Sequence, residues 1–250
     1  MSDLLSHPLG IFAITVAVQC SAAFLGNFLA RKMRRLGDVE RKDFSTILTA
    51  TLTFLGLIIG FSFSMAISRY DQRKSYEEAE ANAIGTEYVR ADLLPAASAA
   101  AVRELLKQYL ALRLSFYGVA DDDRLSRINT ETTKAQADLW SAVTQPAGKD
   151  PTPVMALVVS GMNDVLNSQS YTQAAWWNRI PHAAWWLMGL VALFANLLLG
   201  RSEQRTTRST LLVLPVIVSI SFALIADIDS PRGGVIRVAP QNLMALSRSL

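Results

Sequence analysis

The chain has little of the side-chain chemistry on which most enzymes and metal proteins depend. One cysteine, Cys20, and two histidines, His7 and His182, serve 250 residues. A lone thiol excludes an intrachain disulfide and a thiolate metal cluster, and its place inside an apolar run reads as packing. No helical segment carries both histidines, which speaks against a haem held between two imidazoles. The sequence contains no G-x-S-x-G, H-E-x-x-H or Walker pattern, and no strand alternation longer than chance supplies. No enzyme activity, no cofactor and no bound metal is therefore expected. Zinc-finger, RNP and basic-helix patterns are also missing, so the net charge of +3 is not the footprint of a nucleic-acid partner.

Charge itself is missing from four long stretches. Residues 9–30, 44–67, 183–200 and 210–226 contain no Asp, Glu, Lys, Arg or His. A bilayer core about 30 Å thick needs roughly 20 apolar residues in a helix, and each stretch comes close to that length. The chain is 51% hydrophobic and only 18% charged, too apolar for an ordinary soluble domain. The first stretch has no basic residue before it, is too long for a signal-peptide core and lacks a small-residue cleavage site, so it reads as a retained span. The expectation is an all-α, four-span membrane protein whose partners begin with the lipid bilayer. The missing mid-membrane acid or histidine weakens a proton-coupled transporter.

Between the second and third spans lies a long polar region with helical periodicity. Tyr76, Ala79, Ala83, Ile84, Tyr88 and Ala91 continue the second span as one helix until Pro95 stops it. Val102, Leu105, Leu106, Tyr109, Leu112, Phe116 and Val119 mark a second helix. The acids Asp121 to Asp123 open a third, whose apolar face is Leu125, Ile128, Ala135, Leu139 and Val143. Residues 145–153 hold three prolines and a glycine and read as a loop, and a fourth helix follows from about Val154 to Asn178. The division expected is membrane helices 1 and 2 in residues 1–67, a helical bundle outside the membrane in 68–182, membrane helices 3 and 4 in 183–226, and a C-terminal tail in 227–250. Trp176, Trp177, Trp185 and Trp186 flank Pro181, where aromatic side chains anchor at headgroup level.

The most organised feature within the membrane is on the second span. Ser45, Thr49, Thr53, Gly56, Gly60, Ser64 and Ser68 follow one another at steps of three or four and so share one helical face. Gly56, Gly60 and Ser64 let a neighbouring helix approach closely. The other reading is that part of this face lines a water-filled path. Gln19, Asn27 and Asn196 are polar groups that need partners on neighbouring helices. Asp227 and Asp229 leave the fourth span as a D-x-D pair, read as a polar helix exit, with metal binding the weaker alternative.

Two segments together resemble the bacterial bestrophin-like membrane family, distantly similar to the bestrophin ion channels. Gly60-Phe61 is followed by Arg69-Tyr70 at the separation of the family's Gly-Phe and Arg-Trp signature. After the fourth span, Asp229-Ser230-Pro231-Arg232-Gly233 and then Asn242-Leu243 are similar to the Asp-Pro-Phe-Gly segment and its downstream Asn-x-Leu. The resemblance implies a homo-oligomer, pentameric in bestrophins, that passes small inorganic ions between its second helices. The constriction it implies falls on Thr53, Leu57 and Phe61, narrowed by apolar side chains. Thr53 stands where the family has an apolar residue. Calcium gating is not expected, because residues 233–240 contain Arg237 and no acid. The alternative is a non-conducting scaffold or sensor whose bundle binds a partner and whose polar stripe only packs helices.

Orientation divides the two lines of reasoning. The loops at 31–43 and 201–208 hold nine Lys or Arg, which by the positive-inside rule puts the bundle outside. The resemblance puts it in the cytosol, and the expectation follows the resemblance, in a bacterial inner membrane.

Overall fold

The structure is a computed structural model that describes residues 8–32, 38–202 and 210–250. His7 and the basic residues within 33–37 and 203–209 lie outside the described residues. The described residues fold into eight α-helices without a strand: α1 (Pro8–Lys32), α2 (Asp38–Arg90), α3 (Ala96–Gly118), α4 (Asp122–Lys149), α5 (Pro153–Trp177), α6 (His182–Ser202), α7 (Thr210–Asp229) and α8 (Gln241–Ser249). They divide into two compact units. One takes the described residues of 1–69 and 179–237, the other residues 70–178 and 238–250.

The first unit contains the four stretches long and apolar enough to cross a membrane: α1, the first part of α2, α6 and α7. Helix α1 packs against α6 and α7. Leu55 of α2 joins Met188, Ala192 and Ala195 of α6 and Val218 and Phe222 of α7 in one apolar cluster, with the Trp185 ring set edge-on to Phe222 at 6.3 Å. A polar contact lies within this packing. Asn196 Nδ2 donates to Gln19 Oε1 at 2.8 Å, supplying the partner that an amide in hydrocarbon requires.

The second unit is built from the rest of α2 with α3, α4, α5 and α8. Its core joins Ile84 of α2, Val102, Leu106, Tyr109 and Phe116 of α3, Leu139 and Val143 of α4, and Val158, Met162 and Val165 of α5. Local chemistry sets the ends of these helices. A short 3-10 turn, Ala91–Leu93, closes α2 just ahead of Pro95. The Asp121 carboxylate accepts the Arg124 N–H at 2.8 Å at the head of α4, and Thr152 accepts the Met155 N–H at 3.2 Å at the head of α5, where Pro153 sits at the first helical position.

Four sequence expectations change. Residues 145–153 are not all loop, since α4 runs through Pro146 to Lys149. A proline this near a helix end removes a single N–H bond in the last turns, where the helix is about to stop anyway. Trp176 is no membrane anchor: it is 5% exposed and packs edge-on against Phe116 and Tyr117. Trp177 and Trp186 remain exposed. Ala79 is exposed too, because the buried face of α2 is shifted onto charged residues, Arg73, Glu77, Glu80 and Glu87. Finally, residues 227–250 are not a plain tail. Asp227 and Asp229 close α7, and α8 returns Leu243 to the core of the second unit.

Candidate functional site

The second span presents two unlike faces within its own unit. Leu55, Ser62 and Ala66 are buried, whereas Ser45, Thr49, Thr53, Gly56, Gly60, Ser64 and Ser68 are all exposed. Leu57 and Phe61 are exposed beside them, at 52% and 65%. A Cβ added at Gly56 or Gly60 would meet nothing within 4 Å. The small-residue stripe therefore packs against no helix among the described residues. Thr53, Leu57 and Phe61, four residues apart, lie along this exposed side of the span. The Thr53 hydroxyl donates to the Thr49 carbonyl at 2.9 Å. Its hydrogen is thus spent on its own helix, and the residue offers its neighbours less polarity than a free hydroxyl.

The motif residues meet across long stretches of sequence. Arg69 Nη1 lies 3.5 Å from Asp229 Oδ1, with both side chains largely buried. Both Asp229 carboxylate oxygens also accept the Ile180 N–H at 3.1 Å. Asp227 accepts the N–H groups of Val235 at 2.6 Å and Ile236 at 2.9 Å. These bonds tie the chain leaving α7 back onto its last turn. Pro231 is buried within that return, and the Gly233 N–H donates to Ser230 Oγ at 3.2 Å. Both acids of the D-x-D pair are thus engaged by backbone donors, and the described residues hold no group of three or more His, Cys, Asp or Glu placed to share a metal ion.

Tyr70 and Asn242 belong to the second unit. Tyr70 packs at the edge of its core. Asn242 Nδ2 donates to Glu77 Oε2 at 2.7 Å, and the Leu243 N–H donates to Glu77 Oε1 at 2.9 Å. Glu77 thereby satisfies a free donor in the first turn of α8 from another helix.

Sequence reasoning missed a buried charged centre in the second unit. Glu80 and Arg113 are both fully buried and ion-paired, and Thr172 Oγ1 donates to Glu80 Oε2 at 3.0 Å. Burial is the largest influence on Arg113 and works against its charge, but the charge and hydrogen bond of the Glu80 carboxylate together with Tyr109 and Tyr117 hold the guanidinium pKa above its usual value. Burial, and then the same carboxylate, pushes the hydroxyls of Tyr109 and Tyr117 upward. Arg73 donates to the carbonyls of Ala175 and Asn178, each at 3.2 Å, at the C-terminus of α5. The signal was present in α2, where Arg73, Glu77, Glu80 and Glu87 recur at steps of four, three and seven. A search for apolar periodicity passes over it.

Four apolar helices and a helical bundle inserted between the second and third define a polytopic membrane protein. The sequence matches the Bestrophin-like domain family over residues 13–243, and the chain belongs to that family. Its fold is similar to solved structures of a bacterial bestrophin homologue from Klebsiella pneumoniae. A tryptophan-to-alanine variant of that homologue matches with a TM-score of 0.68 at 14% identity, covering 96% of this chain and 98% of that one. The form solved by zinc phasing matches with a TM-score of 0.64 at 15% identity over 96% and 98%. An aspartate-to-alanine variant gives 0.65 at 15% identity, again over 96% and 98%. No curated protein matches the sequence.

Proposed function

We propose that this chain assembles into a homo-oligomer in the bacterial inner membrane and passes small monovalent ions along a path lined by its second helices. Thr53, Leu57 and Phe61 form the constriction, and the bundle lies in the cytosol. The observation that carries this reading is the exposed side of α2: two large apolar side chains and a stripe of hydroxyls and glycines that no helix among the described residues covers. Helices brought together around an axis would use Gly56, Gly60 and Ser64 for close approach. Leu57 and Phe61 would then form an apolar neck that gates by dewetting. Membership of the Bestrophin-like family supports the reading, and the pentameric stoichiometry follows from resemblance to bestrophins. The reading assigns the chain no enzymatic activity, cofactor or metal.

Purified protein in liposomes should pass monovalent ions, and Phe61→Ala should raise or alter the flux. No flux from either form, with oligomers intact, removes the channel reading. A scaffold instead loses assembly in Gly60→Leu while Phe61→Ala changes nothing.

A further inference from the structure

A groove of about 840 Å³ lies between the start of α1 and the last turns of α7, within the roughly 300–1,000 Å³ range of small-molecule sites. Leu9, Phe12, Ile220 and Leu224 wall it, and the segment Gly233 to Arg237 closes one end. Two features separate it from ordinary lipid-facing helix surface. The closing segment is built, because Asp227 accepts the Val235 and Ile236 N–H groups and Gly234 lies so close that a Cβ there would strike the Asp227 carbonyl. The two charged side chains among the described lining residues also differ in access. Asp227 is buried and engaged, whereas Arg237 is exposed. Arg237 Nε donates to the Gly234 carbonyl at 2.6 Å, pinning the guanidinium at the groove while its Nη groups have no acceptor among the described residues.

We infer that this groove binds one anionic phospholipid, with an acyl chain along Leu9, Phe12, Ile220 and Leu224 and the phosphate at Arg237. The location argues for a lipid over a soluble ligand or a protein helix. The walls are almost wholly apolar and belong to spans whose neighbouring side chains, Leu9, Ile220 and Leu224, are exposed where hydrocarbon surrounds the protein. Arg237 sits where a span ends and headgroups begin, the position at which a basic side chain recognises an anionic lipid. The inference does not depend on ion conduction.

The test uses the full chain in phosphatidylcholine nanodiscs carrying a trace of phosphatidylglycerol or phosphatidylcholine with a photoactivatable acyl chain, and adducts are mapped by peptide mass spectrometry. Phosphatidylglycerol adducts should concentrate on the start of α1 and on residues 220–235. Their yield should exceed that of the phosphatidylcholine probe about fivefold, the worth of one cation beside an anionic headgroup. Arg237→Gln, at an exposed position, should bring the two yields together, and excess inorganic phosphate should leave them unchanged. Equal yields in the unaltered protein, adducts spread over all four spans, an unaffected Arg237→Gln variant, or displacement by inorganic phosphate each overturn the inference.

Discussion

Gly26 of α1 and Gly200 of α6 hold their two helices at backbone contact. A Cβ on Gly26 would collide with the Leu197 carbonyl oxygen, and a Cβ on Gly200 with that of Ala23. Because the colliding atoms are backbone, no rotamer change can relieve the clash. Gly26→Ala and Gly200→Ala should therefore each destabilise the membrane unit, by about 1–3 kcal/mol or more, as overpacking does. Thermal unfolding in detergent checks this against Gly189→Ala, where the added Cβ meets nothing within 4 Å and the midpoint should hold.

The ion pair of Glu80 and Arg113 should show the asymmetry of buried charge. Arg113→Met leaves the Glu80 carboxylate enclosed with only Thr172 donating to it, at a cost of about 3–5 kcal/mol. The double variant Glu80→Leu with Arg113→Met should recover most of that loss, since it leaves no uncompensated charge. Circular dichroism melting of the three proteins decides the point, and a double variant no better than the single one contradicts it.

Glu87 predicts a pH dependence. Its side chain is fully buried, and neither carboxylate oxygen has a hydrogen-bond partner among the described residues. Desolvation raises its pKa from 4.5 to about 8, with Arg90 on its own helix opposing the shift and Asp164 on α5 adding to it. The folded state therefore holds this proton more tightly than the unfolded chain does. The associated stability is fully present below about pH 4.5 and is lost as pH rises towards about 8. Glu87→Gln should flatten that part of the stability profile and melt higher than the unaltered protein at pH 8. A slope identical in the two proteins would count against the assignment.

Asp229 joins two motifs through Arg69 and the Ile180 N–H. Asp229→Ala strands a buried backbone donor and a guanidinium and should cost about 1–3 kcal/mol. Asp229→Asn keeps an acceptor and should cost less. Limited proteolysis around residues 230–240, alongside thermal unfolding, should rank the two variants in that order.

Several elements are legible in the local sequence. The four spans, the continuation of α2 to the turn before Pro95 and the core face of α3 through Val102, Leu106, Tyr109 and Phe116 all follow from local signals. Helical periodicity and the length of an apolar run are properties of 20 or so consecutive residues. The two motifs were recognisable by resemblance, but not that they meet, with Arg69 reaching a residue 160 positions away.

By itself the sequence determined an all-helical membrane protein, the insertion of a bundle between its second and third spans, and a long second helix with a small-residue stripe. Runs of apolar residues and proline stops decide those matters locally. Only the tertiary structure decided which polar groups are interior. Arg73, Glu77, Glu80 and Arg113 look solvated on any single helix. They are buried because acceptors and donors on other helices satisfy them: Ala175 and Asn178 for Arg73, Asn242 and Leu243 for Glu77, and Thr172 for the Glu80–Arg113 pair. Burial of charge depends on partners brought together by folding, and the order of residues along the chain does not contain them.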